Sequence, residues 1–416
     1  MLFKKSIALL AVLSLLFCVF SVNASAEELE TETITLAEYE QLRDFMPALM
    51  SASTAYSCDF DINGLRNSIL NAVYNGDNEL YITEFGLTVN DINIITDLMW
   101  YNMPELLRAV KDLKYGYFSS SGIIARLIFT YQFDSAYFRR IYNEFETAAN
   151  EMTSDLNCDN ITDVQKALIL HDRLAIKCEY DIDAADELNA FYEANINNSD
   201  AAPPWNSAFT AYGAIVDGGA ICQGYTEAYE YLLEKVGIES ERCRSENLNH
   251  VWNIVYIKGR GYHVDVTWDD PVFANPASKP ADYVQHNNFL VSSSALFSTG
   301  HNSYDYITTP NDTFFDNFFW QDFITNFHYA NNHIFYYDRS GNYHEFNEKN
   351  MIINTGHADA NNDGELNALD ISSCRNIITD KSITDYSEYT SCDVTTDGKI
   401  NVLDLVRYKR LLSYLS

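Results

Sequence analysis

The sequence has few basic residues, and this shortage limits the partners that it can bind. Its 416 residues include 27 Lys and Arg against 59 Asp and Glu, for a formal net charge of −32 at pH 7. A surface of that charge is highly soluble and repels nucleic acid and anionic membranes. We therefore expect no nucleic-acid partner.

Long apolar runs are also missing, except at the start of the chain. Lys4-Lys5 precedes an apolar stretch from Ile7 to Val22, and Ala24-Ser25-Ala26 follows it. A positive segment, an apolar segment and a small-residue cleavage site are typical of a secretory signal peptide. No later run is long enough to span a bilayer. We expect residues 1–26 to be a signal peptide and the protein to be secreted, with no membrane span.

The number of cysteines is odd once the signal peptide is removed. Of the 8 cysteines, those that remain are Cys58, Cys158, Cys178, Cys222, Cys243, Cys374 and Cys392. In an oxidising compartment an odd count leaves one thiol over, and Cys222 is the natural free one. The other six could pair, with Cys374 and Cys392 close enough in sequence to bridge one domain. Unpaired thiols in an anaerobic setting are an equal alternative.

Cys222 opens the clearest helical pattern of the chain. The helix is indicated by apolar spacing at Tyr225, Ala228, Tyr229, Leu232, Leu233 and Val236, and it stops at Gly237. In the first helical turn, unpaired N–H groups and the helix dipole favour a thiolate over a thiol. Gly218, Gly219 and Gly224 remove side-chain bulk where a substrate carbonyl would approach, and the N–H of Cys222 is a candidate oxyanion donor.

A hairpin downstream supplies a histidine and an aspartate. Residues 250–257 and 262–267 alternate as strands around the turn residues 258–261. A loop of two or four residues places His250 and Asp265 on one face. If Asp265 lies opposite Trp252 it can reach His250, whereas opposite Ile254 it is too far unless a bulge intervenes. Cys, His and Asp in this arrangement predict a thiol nucleophile, a base and an orienting carboxylate.

These motifs resemble the bacterial transglutaminase-like family, a branch of the papain-like fold. The resemblance rests on Cys222-Gln223-Gly224-Tyr225, His250-Val251-Trp252-Asn253 and residues 262–271, and it extends from about Ile161 to Val291, with Leu170-His171-Asp172 upstream. It implies that Cys222 is the nucleophile, His250 the general base and acid, and Asp265 the group that orients His250. The second oxyanion donor is not assigned.

The chain therefore has a predicted α+β fold in four parts. After the signal peptide, residues 27–156 form a mainly helical region, in which only residues 80–82 are strand-like. Residues 157–350 form the transglutaminase-like catalytic domain, with Thr162 and Gln165 as a capping box, residues 181–204 as a surface loop and a hairpin near its end. His171 falls on the apolar helix face and is interpreted as structural, and His301 shows no metal-ligand spacing. Residues 354–416 form the last domain.

A repeat marks this last domain. Residues 359–370 and 393–404 both show the pattern of a calcium loop, with oxygen ligands at positions 1, 3, 5, 9 and 12 and Gly364 or Gly398 at position 6. Thr395 departs from the usual Asn or Asp at position 3, which weakens the second site. The predicted ligands of two calcium ions are Asp359, Asn361, Asp363, Glu365, Asn367, Asp370, Asp393, Thr395, Asp397, Lys399, Asn401 and Asp404.

The position-12 aspartates, the paired halves and the C-terminal location resemble a dockerin more than a calcium-sensor EF-hand. The resemblance implies an all-α domain with two EF-hand-like loops that binds a cohesin module of a scaffoldin in a cellulosome. By position it implies a cohesin surface of Ala368, Leu369, Val402 and Leu403. The alternative is that these four residues have no recognition role, because exposed apolar residues are common.

Together the motifs predict a secreted, extracellular thiol enzyme that acts on protein or peptide amide bonds. Its dockerin would place it in a plant polysaccharide-degrading cellulosome, on the cell surface or free. Hydrolysis by a cysteine peptidase or amidase is favoured, because water competes well unless an amine site is built. Transfer to an amine, as in a cross-linking transglutaminase, stays open. So does a non-catalytic binding module tethered by the dockerin.

Overall fold

The computed structural model describes residues 29–36, 60–158, 161–195, 198, 201–301, 309–316, 318–338, 340–346, 358–380, 389–395 and 398–415. Helices and strands are mixed throughout, as the predicted α+β class requires. The predicted signal peptide and Cys58 lie outside these ranges. Among the described helices, none combines the length and the apolar character that a membrane crossing needs.

The helices are α1 (Ile62–Asn75), α2 (Ile92–Trp100), α3 (Ser135–Thr153), α4 (Asp163–Lys177), α5 (Ile182–Ala194), α6 (Cys222–Lys235), α7 (Val266–Asp269), α8 (Ser293–Ser298), α9 (Ala368–Thr379) and α10 (Val402–Leu415). The strands are β1 (Leu29–Thr35), β2 (Glu79–Tyr81), β3 (Val110–Phe118), β4 (Ile124–Tyr131), β5 (Glu179–Tyr180), β6 (Gly219–Ala220), β7 (Ser240–Ser245), β8 (His250–Ile257), β9 (Arg260–Val264), β10 (Phe289–Val291), β11 (His328–Ala330), β12 (His333–Tyr337) and β13 (Tyr343–Glu345).

The chain divides into two compact units, one with the described residues up to Phe138 and one from Arg139 onwards. The first unit corrects the prediction of a mainly helical region. Strand β2 was predicted, but β1, β3 and β4 pair with it in an antiparallel sheet of order β1-β3-β4-β2. Leu113 and Leu127 are fully buried in that sheet, which long-range pairing stabilises and local helical spacing did not reveal. The predicted boundary between residues 156 and 157 stays a prediction.

In the second unit, α6 lies against a sheet of order β10-β9-β8-β7. The Asn253 side chain donates to the Thr226 carbonyl at 3.2 Å, and the Thr226 hydroxyl lies 3.0 Å from the carbonyl of Val251. Buried Arg242 of β7 binds Glu227 and Glu230 of α6 at 3.1 and 2.5 Å. These bonds hold the helix that begins at Cys222 beside the strand that begins at His250.

The hairpin of β8 and β9 has the register that catalysis would need. Ile257 pairs with Arg260 around a two-residue turn at Lys258 and Gly259, whose φ angles are 51° and 73°. Two positive φ angles are typical of a type I′ turn. Asn253 pairs with Val264, so that the next residue, Asp265, comes opposite Trp252.

The second strand of the hairpin is shorter than predicted. It ends at Val264 rather than at residue 267, and the one-turn helix α7 follows. Asp265 causes this change because its Oδ1 accepts the N–H of Trp268 at 3.2 Å and so caps α7. The strand prediction was wrong for residues 265–267, while the placement of Asp265 beside His250 is unaffected.

The region between Asp181 and residue 204 is another correction. It was predicted as a surface loop, but residues Ile182–Ala194 form α5. Asp181 caps this helix by accepting the N–H of Ala184 at 2.9 Å. Ala, Glu and Leu along the segment are good helix formers, and their helix propensity outweighs the polar composition of the segment. The Thr162–Gln165 capping box ahead of α4 is confirmed, with bonds of 2.9 and 3.3 Å.

Towards the C-terminus, β11, β12 and β13 form an antiparallel sheet that includes the predicted hairpin. Helices α9 and α10 each follow one of the repeated acidic loops. Residues 381–388 and 396–397, Asp397 among them, lie outside the described ranges. The all-α character of this domain therefore stays a prediction.

Candidate active site

Cys222 is the first residue of α6, as predicted. Its thiol is half-buried and lies close enough to the His250 side chain to raise the pKa of that histidine. At this position the backbone N–H groups of the first turn carry the positive end of the helix dipole. A nucleophile and a base are therefore in contact.

The glycine at position 224 has a different purpose from the one predicted. A Cβ on Gly224 would lie 2.8 Å from the Ala208 carbonyl and 2.9 Å from that of Thr210. Gly224 therefore lets residues 208–210 approach the first turn of α6 and leaves no room there for a substrate. Gly218 has a φ of +79°, which glycine adopts without strain, just before the short strand that leads to Cys222.

The structure brings His250 and Asp265 together. The His250 Nε2 lies 2.6 Å from Asp265 Oδ2, and both side chains are almost completely buried. Because the carboxylate accepts from Nε2, it holds the ring so that Nδ1 is left for the thiol. This is the tautomer that a base needs to take a proton from Cys222. The three residues predicted as a triad are thus contiguous, and their catalytic role stays a prediction.

The charges and hydrogen bonds of the site favour a protonated His250 beside an ionised Asp265. Burial by itself lowers the pKa of His250, but the charge and hydrogen bond of Asp265 and the contact with Cys222 raise it to about 10. Burial by itself raises the pKa of Asp265, but the charge of His250 and hydrogen bonds from His250 and His301 hold it well below its usual range. Asp265 therefore stays ionised and stabilises a protonated His250.

His301 is a contact of the site that sequence reasoning missed. Its Nε2 lies 2.7 Å from the same Asp265 oxygen that binds His250, and its side chain is fully buried. Its ring packs on Trp268 with centroids 3.9 Å apart. His301 is 36 residues from Asp265 in sequence, and no periodicity links the two, so spacing offered no signal for it.

Two indoles enclose the His250 ring. Trp252 stacks on it at 5.6 Å and Trp268 lies at the same distance on a tilted plane. The Trp252 Nε1–H donates to His263 Nδ1 at 3.0 Å, and His263 Nε2 lies 3.0 Å from Ser293 Oγ. Burial lowers the pKa of His263 to about 3, so it is a neutral anchor for Trp252. The indoles exclude water and strengthen the His250–Asp265 interaction.

A second histidine–carboxylate cluster lies deeper in the same unit. The His171 ring nitrogens lie 2.8 Å from Asp172 and 3.2 Å from Asp269, and His286 lies 2.9 Å from Asp172. All four side chains are fully buried. Burial by itself lowers the pKa of His171, but its hydrogen bonds to Asp172 and Asp269 raise it to about 9. The prediction that His171 is a satisfied structural residue agrees with these contacts.

Both clusters contain groups of side chains that could in principle hold a metal ion. In the described part of the chain, His171, Asp172 and His286, and likewise His250, Asp265 and His301, bring possible ligand atoms within 4.8 Å of one another. Their N···O separations of 2.6–2.9 Å are hydrogen-bond lengths. Two ligands bound to tetrahedral zinc would lie about 3.3 Å apart. Both groups are therefore hydrogen-bonded clusters.

The two acidic loops repeat the same backbone bonds at the same positions. Asp359 accepts the N–H of Gly364 at 2.8 Å, as Asp393 accepts that of Gly398 at 2.9 Å. At position 12, Asp370 and Asp404 are fully buried and each accepts the position-9 N–H at 2.7 Å. Carboxylate and amide oxygens held this way are the donor set of a hard cation, which fits calcium.

The four predicted cohesin residues are all exposed. Ala368 and Leu369 begin α9, and Val402 and Leu403 begin α10, where the exposed fractions of Leu369, Val402 and Leu403 are 59%, 62% and 56%. The other side of α10 is covered. Arg410 binds Asp312 at 2.7 Å and Tyr414 packs on Phe314 at 5.8 Å.

Cys374 and Cys392 remain thiols, with the Cys374 Sγ 3.8 Å from the Cys392 carbonyl.

Comparison with known proteins identifies the C-terminal part and finds two weak similarities. The chain is 22% identical over 170 residues to the Kyphoscoliosis peptidase of Mus musculus, which covers 38% of this chain and 23% of the peptidase. A solved structure titled "Crystal structure of a TGase" is 16% identical, covers 46% of this chain and 53% of its own, and has a TM-score of 0.24. The chain thus spans about a quarter of the length of the peptidase and about half the length of the TGase structure. Residues 347–413 match the family model of the dockerin type I domain, so the chain carries a dockerin type I domain at its C-terminal end.

Proposed function

We propose that this protein is a secreted thiol enzyme of the transglutaminase-like kind, acting on protein or peptide amide bonds through Cys222, His250 and Asp265. One observation carries the proposal: the Cys222 thiol at a helix start contacts His250, whose Nε2 is held by Asp265 at 2.6 Å. The partial similarity to a peptidase accords with this chemistry.

The reaction follows from these contacts. His250 Nδ1 takes the thiol proton, and the sulfur attacks the amide carbonyl carbon to form a tetrahedral intermediate. The backbone N–H of Cys222 would donate to its oxyanion. His250 then returns the proton to the nitrogen as the C–N bond breaks, which leaves a thioester. Attack on the thioester by water gives a carboxylic acid, and attack by an amine gives a new amide, with release of the thiol in both cases.

The first test compares the wild-type protein with Cys222→Ala in two parallel assays, casein hydrolysis and incorporation of a labelled amine. We expect Cys222→Ala to abolish the signal. Cys158→Ala is the matched control, since that thiol is also partly accessible but contacts Tyr329 and no histidine. Signal in the hydrolysis assay alone assigns a peptidase, and signal in the amine assay assigns a transglutaminase. Equal signals from wild type and Cys222→Ala would exclude the enzyme and favour a binding module.

The dockerin is proposed to anchor this enzyme to a scaffoldin cohesin in a cellulosome-type, polysaccharide-degrading assembly outside the cell. Type I dockerin domains bind calcium, and two ions would be held by the predicted ligands of the two loops. The exposed apolar residues at the starts of α9 and α10 would contact the cohesin. The covered side of α10 leaves that surface accessible.

Calcium-dependent pull-down with a cohesin module tests this anchor. We expect Leu403→Asp to weaken binding at least about tenfold, because it places a charge in an apolar contact. Val272→Asp is the control, since Val272 is similarly exposed, at 52%, but lies outside the dockerin. Binding that survives a chelator, or that Leu403→Asp leaves unchanged, would contradict the proposal.

A further inference from the structure

One oxygen of the catalytic carboxylate is shared by two histidines. Asp265 Oδ2 lies 2.6 Å from His250 Nε2 and 2.7 Å from His301 Nε2, while Oδ1 accepts the Trp268 N–H at 3.2 Å. A Cys-His-Asp triad needs only the first of these bonds. The second donor is therefore a feature of this chain that the proposed reaction leaves unexplained.

We propose that His301 is a positioning residue of this site. It donates its Nε2–H to Asp265 Oδ2, fixes the carboxylate in the orientation that His250 needs and moderates the pull of the carboxylate on His250. The inference rests on the proposed function, since it concerns the same three residues. It adds a fourth side chain whose effect reaches the reacting atoms only through Asp265.

The surroundings of His301 hold its ring in one position. The residue before it, Gly300, has a φ of +115°, and a Cβ there would lie 3.1 Å from the Trp268 ring. Trp252 also meets the His301 ring edge-on, with centroids 5.1 Å apart. A ring that contacts two indoles and is fully buried loses its bond to Asp265 only at the expense of an unpaired polar group.

The charges around His301 set the direction of its effect. Asp265 is in hydrogen-bond contact, the His250 ring lies 5.7 Å away, and His263 is near enough to feel its charge. Among the described residues, His301 Nδ1 has the Thr299 hydroxyl as its hydrogen-bond partner, at 3.4 Å. Since His250 and His301 compete for one oxygen, removing His301 concentrates the carboxylate charge on His250. A protonated His250 then becomes more stable, while the carboxylate is held less firmly.

Two substitutions separate this role from simple packing. His301→Gln can place its amide N–H₂ near the position of Nε2 and so keep the bond to Asp265. His301→Asn places the amide near Nδ1, towards Thr299, and loses that bond. We expect kcat/KM of the Asn variant to fall about tenfold, as for loss of a hydrogen bond to a charged group. The alkaline limb of the pH profile of kcat/KM should also move to higher pH in the Asn variant. The Gln variant should stay within about threefold of wild type with the limb unmoved.

A measurement that needs no substrate accompanies this one. In the full chain labelled with ¹⁵N-histidine, we expect hydrogen-bonded Nε2–H protons for both His250 and His301, assigned by their loss in His250→Ala and His301→Gln. In His301→Asn the His250 proton should shift further downfield as its bond to Asp265 strengthens. If the Asn variant does not fold, His301→Phe keeps a ring against Trp268 and serves the same test.

The outcomes are distinct. An unmoved His250 proton in the Asn or Phe variant, or equal effects of Asn and Gln, overturns the role of His301. Absence of any Cys222-dependent turnover in the wild type overturns the proposed function, while the NMR result still decides whether His301 controls Asp265.

Discussion

Two clusters in this protein are built from the same residue types and do different things. His250, Asp265 and His301 form one, and His171, Asp172, Asp269 and His286 form the other. Both are buried and hydrogen-bonded. They differ in whether a histidine nitrogen remains free of carboxylates. Both ring nitrogens of His171 are bound to carboxylates, whereas the second ring nitrogen of His250 is left for the half-buried thiol of Cys222.

From this comparison we expect the open end of a histidine–carboxylate cluster to make it reactive. A histidine with carboxylates on both sides has no ring nitrogen left to exchange a proton with a nucleophile. A histidine with one carboxylate is oriented and charged by it, and its other nitrogen can exchange a proton with a nucleophile. The predictions below break each cluster in turn.

The largest effect is expected from His250→Ala. It removes the base, and kcat/KM should fall about 10⁴-fold in whichever assay the wild type responds to. His333→Ala is the control, since the side chains of His333 and Glu345 are exposed and bonded to each other. Loss of less than about tenfold would mean that the cluster has no reactive end.

Asp172→Asn should damage the second cluster more than the first. It leaves His171 and His286 without the carboxylate between them, and unpairing a buried charge costs about 3–5 kcal/mol of unfolding free energy. Urea denaturation measures the loss. Asp163→Asn, at an exposed position on the same helix, should cost less than about 1 kcal/mol. Similar stabilities for the two variants would show that the buried cluster contributes no stability.

The clusters also predict a loss of stability at alkaline pH. The pKa of His171 is raised from 6.5 to about 9 and that of His250 to about 10. A histidine whose pKa is raised by folding contributes stability that is complete below pH 6.5 and is lost as pH rises through the folded value. The melting temperature should therefore fall between pH 6.5 and 10. His171→Asn should flatten that fall in part, and an unchanged slope would contradict the ion pairs of His171.

The smallest effect is expected from Thr299→Val, at a hydrogen-bonded link between the two clusters. The Thr299 hydroxyl lies 2.7 Å from Asn288 Oδ1, and the Asn288 amide donates to Asp269 at 2.9 Å. Thr299→Val keeps the shape and removes this link, which should cost about 1 kcal/mol of stability. Activity should change less than about threefold. A loss of activity as large as that of His250→Ala would show that the two clusters act as one unit.

The sequence predicted the site better than its surroundings, for reasons that specific residues show. The turn at Lys258 and Gly259 sets the hairpin register, so local chemistry was enough to bring Asp265 to His250. His301 reaches the site through a chain path that no local pattern describes. The sheet of β1, β3 and β4 depends on long-range pairing. Helix α5 was missed because its polar composition was weighed above its helix-forming residues.

The central claim is that the contact with His250 makes the Cys222 thiol a nucleophile, and alkylation tests it most directly. Cys158, which contacts Tyr329 and no histidine, is an internal reference in the same molecule. Peptide mapping after brief exposure to iodoacetamide at pH 6 should show Cys222 modified at least about tenfold faster than Cys158 in the wild type. In His250→Ala the two rates should be similar. Equal rates in the wild type, or a fast Cys222 that His250→Ala leaves unchanged, would contradict the account.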